Sequence, residues 1–189
     1  MEISLIRHGK SKQIDNNRMT YKEFKNWIKK YDDSGVFEEN SYPSETLEKI
    51  ASANLVITSD LKRSIESAKL LNPDIHAISE PLFRETELPN LLTKLWGLKS
   101  NPNIWAVILR CLWFSGYSRG CESLSNAKAR AKIASDLLVG YAQEHTSVVL
   151  VGHGFFNMLI AKELQKMGWK CERKINSKHW NCTTYSLFS

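Results

Sequence analysis

No two of the four cysteines, Cys111, Cys121, Cys171 and Cys182, stand in a CxxC spacing. A disulfide framework and a zinc ribbon therefore have no footing, and the four read as a reduced set. Long apolar runs are also missing. The most apolar stretch, Ile104 to Phe114, is interrupted by Arg110 and is too short to cross a bilayer. The start is a short strand with an acid at position 2, which is not the plan of a secretory leader. There is no solenoid-type repeat and no low-complexity segment. No basic run of nucleic-acid type occurs, and the densest cluster, Lys22, Lys25, Lys29 and Lys30, fits the wet face of a helix. These absences lead to the expectation of a cytoplasmic protein with no nucleic-acid partner and no membrane partner.

What is present is the composition of an ordinary folded domain, with 42% hydrophobic and 24% charged residues. A chain of 189 residues is expected to form one domain, 1–189, with a substantial core. The net charge of +6 favours an anionic partner.

The first nine residues set the plan. Ile3-Ser4-Leu5-Ile6 reads as a buried strand, and it breaks into Arg7-His8-Gly9. Parallel α/β sheets carry their chemistry at such carboxyl ends. Taken alone, the tripeptide fits equally well a strand that ends in a polar surface turn. Thr20-x-x-Glu23 is a capping box, and Tyr21, Phe24, Trp27, Ile28 and Tyr31 repeat at helical spacing behind it. That aromatic face is most simply core, with the wall of a pocket as the alternative. A second helix opens at Pro43 and Ser44, with Ser44 as its cap.

Leu55-Val56-Ile57-Thr58 is a second buried strand; it breaks into Ser59 to Arg63, and a helix follows to Leu71. Ile75 to Ile78 is a third strand, followed by the loop Leu82 to Glu87 with its two acids. Residues 88–121 hold Trp96, Trp105 and Trp113 and read as short helices forming a cap; an apolar partner surface is the competing account of these tryptophans. A long helix follows Glu122-Ser123, with Leu124, Ala127, Ala131, Ala134, Leu138 and Tyr141 in its buried stripe. Ser147 to Val151 is a strong strand ending in Gly152-His153-Gly154; a helix follows it, with Gly168 at its C-terminal stop. Thr183 to Phe188 reads as a last strand. This order of elements predicts a three-layer α/β/α sandwich with a mostly parallel central sheet and helices on both faces.

Three strand ends thus carry polar chemistry along one edge. Two histidines and two arginines brought together suit a tetrahedral dianion, because guanidinium forks match phosphate oxygens. A histidine whose other ring nitrogen is fixed by a hydrogen bond can act as a nucleophile, and a loop acid can protonate a leaving oxygen. Singly, each residue has a plainer account: Arg63 on a helix face, His153 as a satisfied buried histidine, Glu85 as a solvated acid.

LIRHG, TSDLKRS and VGHG, in this order, resemble the histidine phosphatase superfamily, also called phosphoglycerate mutase-like, over residues 3 to about 160. The resemblance implies that His8 is the nucleophile, that Arg7, Arg63 and His153 cradle the phosphoryl group, and that Glu85 is the acid, with Glu87 as fallback. It also implies phosphate contacts around Gly154, and a pocket-side element at Glu122-Ser123. Asn17 and Ser11 are further candidates for phosphate binding. No cofactor and no metal are expected. Family members often carry Glu or Gln, then Thr or Ser, after RHG, where this chain has Lys10 and Ser11. An asparagine expected six residues after the nucleophile is Ile14 here, with Asn16 and Asn17 nearby. Glu87-Leu88-Pro89 replaces a glycine-tryptophan-glutamate-glycine-like stretch.

The function implied is a metal-independent phosphatase acting on a small phosphorylated metabolite, with a phosphoprotein as the second candidate substrate. Mutase-type transfer and a non-catalytic phosphate-binding protein are the alternatives. A metallohydrolase using His8 and His153 lacks an HxH or HExxH pattern.

Overall fold

The computed structural model describes residues 1–91, 97–171 and 178–187. Trp96 and Phe188, which the sequence reading placed in the cap and in the last strand, lie outside them. In chain order the elements are β1 (Glu2–Arg7), β2 (Met19–Thr20), α1 (Tyr21–Asp33), α2 (Ser44–Ala51), β3 (Leu55–Thr58), α3 (Lys62–Leu71) and β4 (Ala77–Ser79). A 3-10 turn (Pro81–Phe83), β5 (Lys99–Ser100), α4 (Pro102–Phe114), α5 (Leu124–His145), β6 (Ser147–Gly152), α6 (Gly154–Lys166) and β7 (Cys182–Ser186) follow.

The central sheet runs β4-β3-β6-β1-β7. β1, β3, β4 and β6 are parallel, and β7 closes the β1 edge antiparallel. Strand alternation divides the core. Ile3, Leu5, Ile57, Val148 and Leu150 face α5 and α6, together with Ala127, Ala131, Ala134 and Leu138 from α5. Ile6, Val56, Val149 and Val151 face the other way, against Ile50 of α2 and Ala68 and Leu71 of α3. This is the expected three-layer sandwich. The near-continuous apolar strands follow from burial on both faces.

A third cluster stands apart from the sheet. Met19, Phe24, Trp105 and Leu109 are buried there, with Tyr21, Trp27 and Ile28 packed around them. The region expected as a cap packs as two segments: α1 with β2, and α4 with β5, the two short strands pairing through Met19 and Thr20. The sequence reading placed only the second segment in a cap. Trp105 and Trp113 are wholly buried, and their indole N–H groups donate to the carbonyls of Met19 and Glu122. Both are structural anchors of the fold.

The capping box at Thr20 and Glu23 forms as expected. Ser44 is not the cap of α2; Pro43 occupies that place, without a side-chain bond, and Ser44 is the first helical residue. β4 lies two residues later than expected at its start.

Candidate active site

Register alone brings the strand ends together. Arg7 pairs with Gly152, and Val151 pairs with both Ile6 and Thr58. Continued past Thr58, the register sets Ser59 in the row of Arg7 and Gly152, with His8 and His153 one step beyond. The His8 N–H still donates to the Gly152 carbonyl at 3.0 Å, and the His8 and His153 ring centroids are 5.1 Å apart. His153 caps α6 and is fully buried.

The His8 ring is 3% exposed. Its Nδ1 lies 2.7 Å from the Gly9 carbonyl. A carbonyl only accepts, so Nδ1 carries the proton and Nε2 keeps its lone pair. Burial first, then the Arg63 guanidinium, pushes His8 well below the ordinary histidine range; the Gly9 bond opposes this, and Arg7 and His179 add to it. The ring is thus neutral at physiological pH. His153 is pushed down in the same direction, by burial and then by His8 and the arginines. Its Nε2 is 2.7 Å from Ser59 Oγ. Among the described residues its Nδ1 is buried with no hydrogen-bond partner, and so is Arg63 Nε. Two buried, unsatisfied polar atoms at one strand edge call for a ligand, because leaving such groups unpaired is costly.

Arg63 comes from the first turn of α3 and is 2% exposed. Its Nη1 donates to Asp32 Oδ1 at 2.8 Å, and its guanidinium lies 4.7 Å from the Tyr31 ring centroid. Both partners belong to α1, so the cap is tied directly to this arginine. Arg7 runs beside α6. A Cβ at Gly154 would lie 3.0 Å from Arg7 Nε, so a larger residue there would push on the Arg7 side chain.

Glu85 is anchored at the start of α6. Its carboxylate accepts from the N–H groups of Phe155 (3.0 Å), Phe156 (2.9 Å) and Thr86 (2.9 Å). The start of α6, where His153 stands, therefore also fixes Glu85. Glu87 is exposed on the same loop. A cleft of about 790 Å³ is lined by Arg7, His8, Arg63, Glu85 and Glu87, with Trp27 and Tyr31 of α1 on its wall. The aromatic stripe of α1 is thus mostly cleft wall, with Phe24 buried behind it.

Two expected ligands are elsewhere. Ser11 is buried in a bridge to Val36, and its Oγ accepts from the Gln13 N–H. Asn17 is exposed, in a turn closed on Asp15. Neither lines the cleft. Glu122 does, but its carboxylate is held by Arg130.

Sequence reasoning missed His179, Trp180 and Arg110. The His179 Nδ1–H donates to the His8 carbonyl at 2.8 Å, and its ring lies 5.5 Å from the His8 ring. Trp180 packs on the glycine turn: a Cβ on Gly9 would lie 2.0 Å from its indole. Trp180 sits at φ 63, a region that bulky residues rarely adopt. It is held there by its N–H to the Arg7 carbonyl, its carbonyl to the Thr46 hydroxyl and its indole N–H to Glu39. Arg110 clamps Thr86 through both the hydroxyl (2.7 Å) and the carbonyl (3.0 Å), next to Glu85. Its interruption of the apolar stretch was the one available signal.

Among the described residues, no three His, Cys, Asp or Glu side chains converge as a metal site, and no helix is long and apolar enough to cross a membrane.

The family model of the histidine phosphatase superfamily, branch 1, matches residues 43–187. No curated protein matches the chain. Among solved structures, the chain is similar to the mycobacterial glucosyl-3-phosphoglycerate phosphatase solved with VO3, at 21% identity and a TM-score of 0.56, over 87% of this chain and 80% of that one. It is also similar to TTHB049 from Thermus thermophilus, at 20% identity and TM-score 0.56, over 97% and 92%. A third is the alpha-ribazole phosphatase from Shigella flexneri, at 14% identity and TM-score 0.56, over 97% and 89%.

Proposed function

Since the chain belongs to the histidine phosphatase superfamily, we propose that it is a phosphatase that hydrolyses a phosphomonoester through a phosphohistidine on His8, without a metal. The observation that carries this reading is the neutral, tautomer-fixed His8 beside the unsatisfied Nδ1 of His153 and Nε of Arg63.

In the proposed reaction, the lone pair on His8 Nε2 attacks phosphorus while the bond to the leaving oxygen breaks. Arg7, Arg63 and His153 hold the three equatorial oxygens as charge develops on them. Glu85 gives its proton to the leaving alcohol. As carboxylate it then takes a proton from water, the water oxygen attacks phosphorus, and the P–N bond breaks to return His8 and release inorganic phosphate. The substrate we favour is a small phosphorylated metabolite, and the reaction needs no cofactor.

The test is hydrolysis of an aryl phosphate with a strong chelator present, beside acid-sensitive labelling of the chain from a radiolabelled phosphoester. Turnover with chelator, and label lost in His8→Ala, is the expected result. Turnover abolished by chelator, or full activity in His8→Ala, refutes it. Vanadate protection against heat without turnover of any phosphoester would point instead to a binding protein, and phosphoryl return to a second hydroxyl to a mutase.

A further inference from the structure

Among the described residues the outer face of α4 is apolar and largely open, with Phe114 at its end packed edge-on against Phe155. Ile104, Val107 and Phe114 are 52%, 62% and 50% exposed, and Ile108 and Cys111 lie between them. Spaced three and four apart, these residues form one stripe along the helix. The opposite side of the same helix buries Trp105, Leu109 and Trp113, so α4 is apolar nearly all round. A helix of that kind at a protein surface requires a partner, because soluble monomers rarely leave such stripes open.

Charge identifies the partner. From Leu88 to Cys121 the chain has no Asp or Glu, and of its cations Lys99 and Arg119 are exposed, while Arg110 is bound to Thr86. Arg18 donates to the Lys99 carbonyl at 3.2 Å, which sets two exposed cations just before the Asn101 cap of α4. Arg119 is exposed beyond its other end. Lys25 and Lys29 line the same cleft as Asn103 and Ala106. Of the acids near these residues, the Glu23 carboxylate is committed to Thr20, and inside the cleft Asp32 is paired with Arg63 and Glu122 with Arg130; Asp15 and Glu87 are exposed. A second copy would bring a net charge of +6 against another +6.

We propose that α4 lies on the surface of an anionic lipid bilayer, its stripe among the headgroups and the surrounding cations on lipid phosphates. The stripe is too short to span a membrane and long enough to lie on one. This reverses the expectation of no membrane partner. The cleft mouth, flanked by the same helix, would then face the lipid. The docking itself is independent of the chemistry assigned to His8.

The experiment is co-sedimentation of the full chain with vesicles of phosphatidylcholine alone and of phosphatidylcholine mixed with phosphatidylglycerol. We expect binding to the mixed vesicles, weakening as salt is raised, and little binding to the neutral ones. Val107→Glu and Ile104→Ser, both at exposed positions and off the cleft, should each keep the wild-type melting temperature. Val107→Glu should reduce partitioning about tenfold or more, and Ile104→Ser less. Inorganic phosphate at matched ionic strength should not compete, which separates the helix from the anion pocket. Failure of the wild type to sediment, unchanged sedimentation of Val107→Glu, or a wild-type dimer that Val107→Glu splits would each overturn the proposal. Hydrolysis of a soluble aryl phosphate by Val107→Glu should equal wild type, so loss of docking and loss of chemistry read out separately.

Discussion

Asp32 is half-exposed, yet it holds a nearly buried arginine. An arriving phosphate must share Arg63 with that carboxylate, and it also meets its charge. Asp32→Asn should therefore lower the inhibition constant for inorganic phosphate several-fold, because one competing anion is removed. A raised constant would mean that Asp32 aims Arg63 instead of competing for it. Glu85 and Glu87 separate by leaving group. Glu85→Gln should slow esters of weakly acidic alcohols far more than nitrophenyl esters, since a good leaving group needs little proton donation. The same pattern in Glu87→Gln, and not in Glu85→Gln, would reassign the acid. At this scale His8, Arg7, Arg63 and His153 were candidates because polar residues stand at or just past the ends of apolar strands, and Glu85 was chosen among the loop acids by the family resemblance. His179 and Trp180 were invisible because they reach the His8 turn from about 171 residues away by chain, through backbone contacts that leave no pattern in residue types.

Among elements, α5 is the longest, and its stripe is small: Ala127, Ala131 and Ala134 let it lie close to the sheet. It begins with a side-chain cap, Ser123 Oγ accepting from the Asn126 N–H at 3.1 Å. Ser123→Ala should cost about 1 kcal/mol, read as a lower urea midpoint at an unchanged slope. A change of slope would show that the helix start also shapes the unfolded chain. Elements were legible where burial imposes a period. β1, β3 and β6 are buried on both faces and read as apolar runs, and α5 has one buried stripe. α4 is apolar on its inner and outer faces, so periodicity could not orient it. The stripe of α1 read as core because a cleft wall and a core face use the same aromatic residues.

At the scale of the molecule, two neutral histidines sit buried at the sheet edge. In the unfolded chain they titrate near pH ~6.5. Below that, the unfolded state takes up protons that the native state refuses, so stability rises with pH there. It is fully present above pH ~6.5 and is lost as acid drives toward the lowered native values, by at most about 1.4 kcal/mol per pH unit for each histidine. Urea midpoints in phosphate-free buffer should be level above pH ~7 and fall below pH ~6.5. A midpoint that climbs on acidification would show that His8 or His153 is protonated in the native state.

The strand order carries a consequence for synthesis on the ribosome. β1 is made early, yet its two neighbours in the sheet are β6 and β7. Until residues 147–152 leave the exit tunnel, Ile3, Leu5 and Ile6 have no strand to pair with. The turn holding His8 is closed only when Trp180 arrives. A nascent chain carrying every residue through 170 would still lack the indole that packs on Gly9. His8 is translated about 170 residues before the indole that closes its turn.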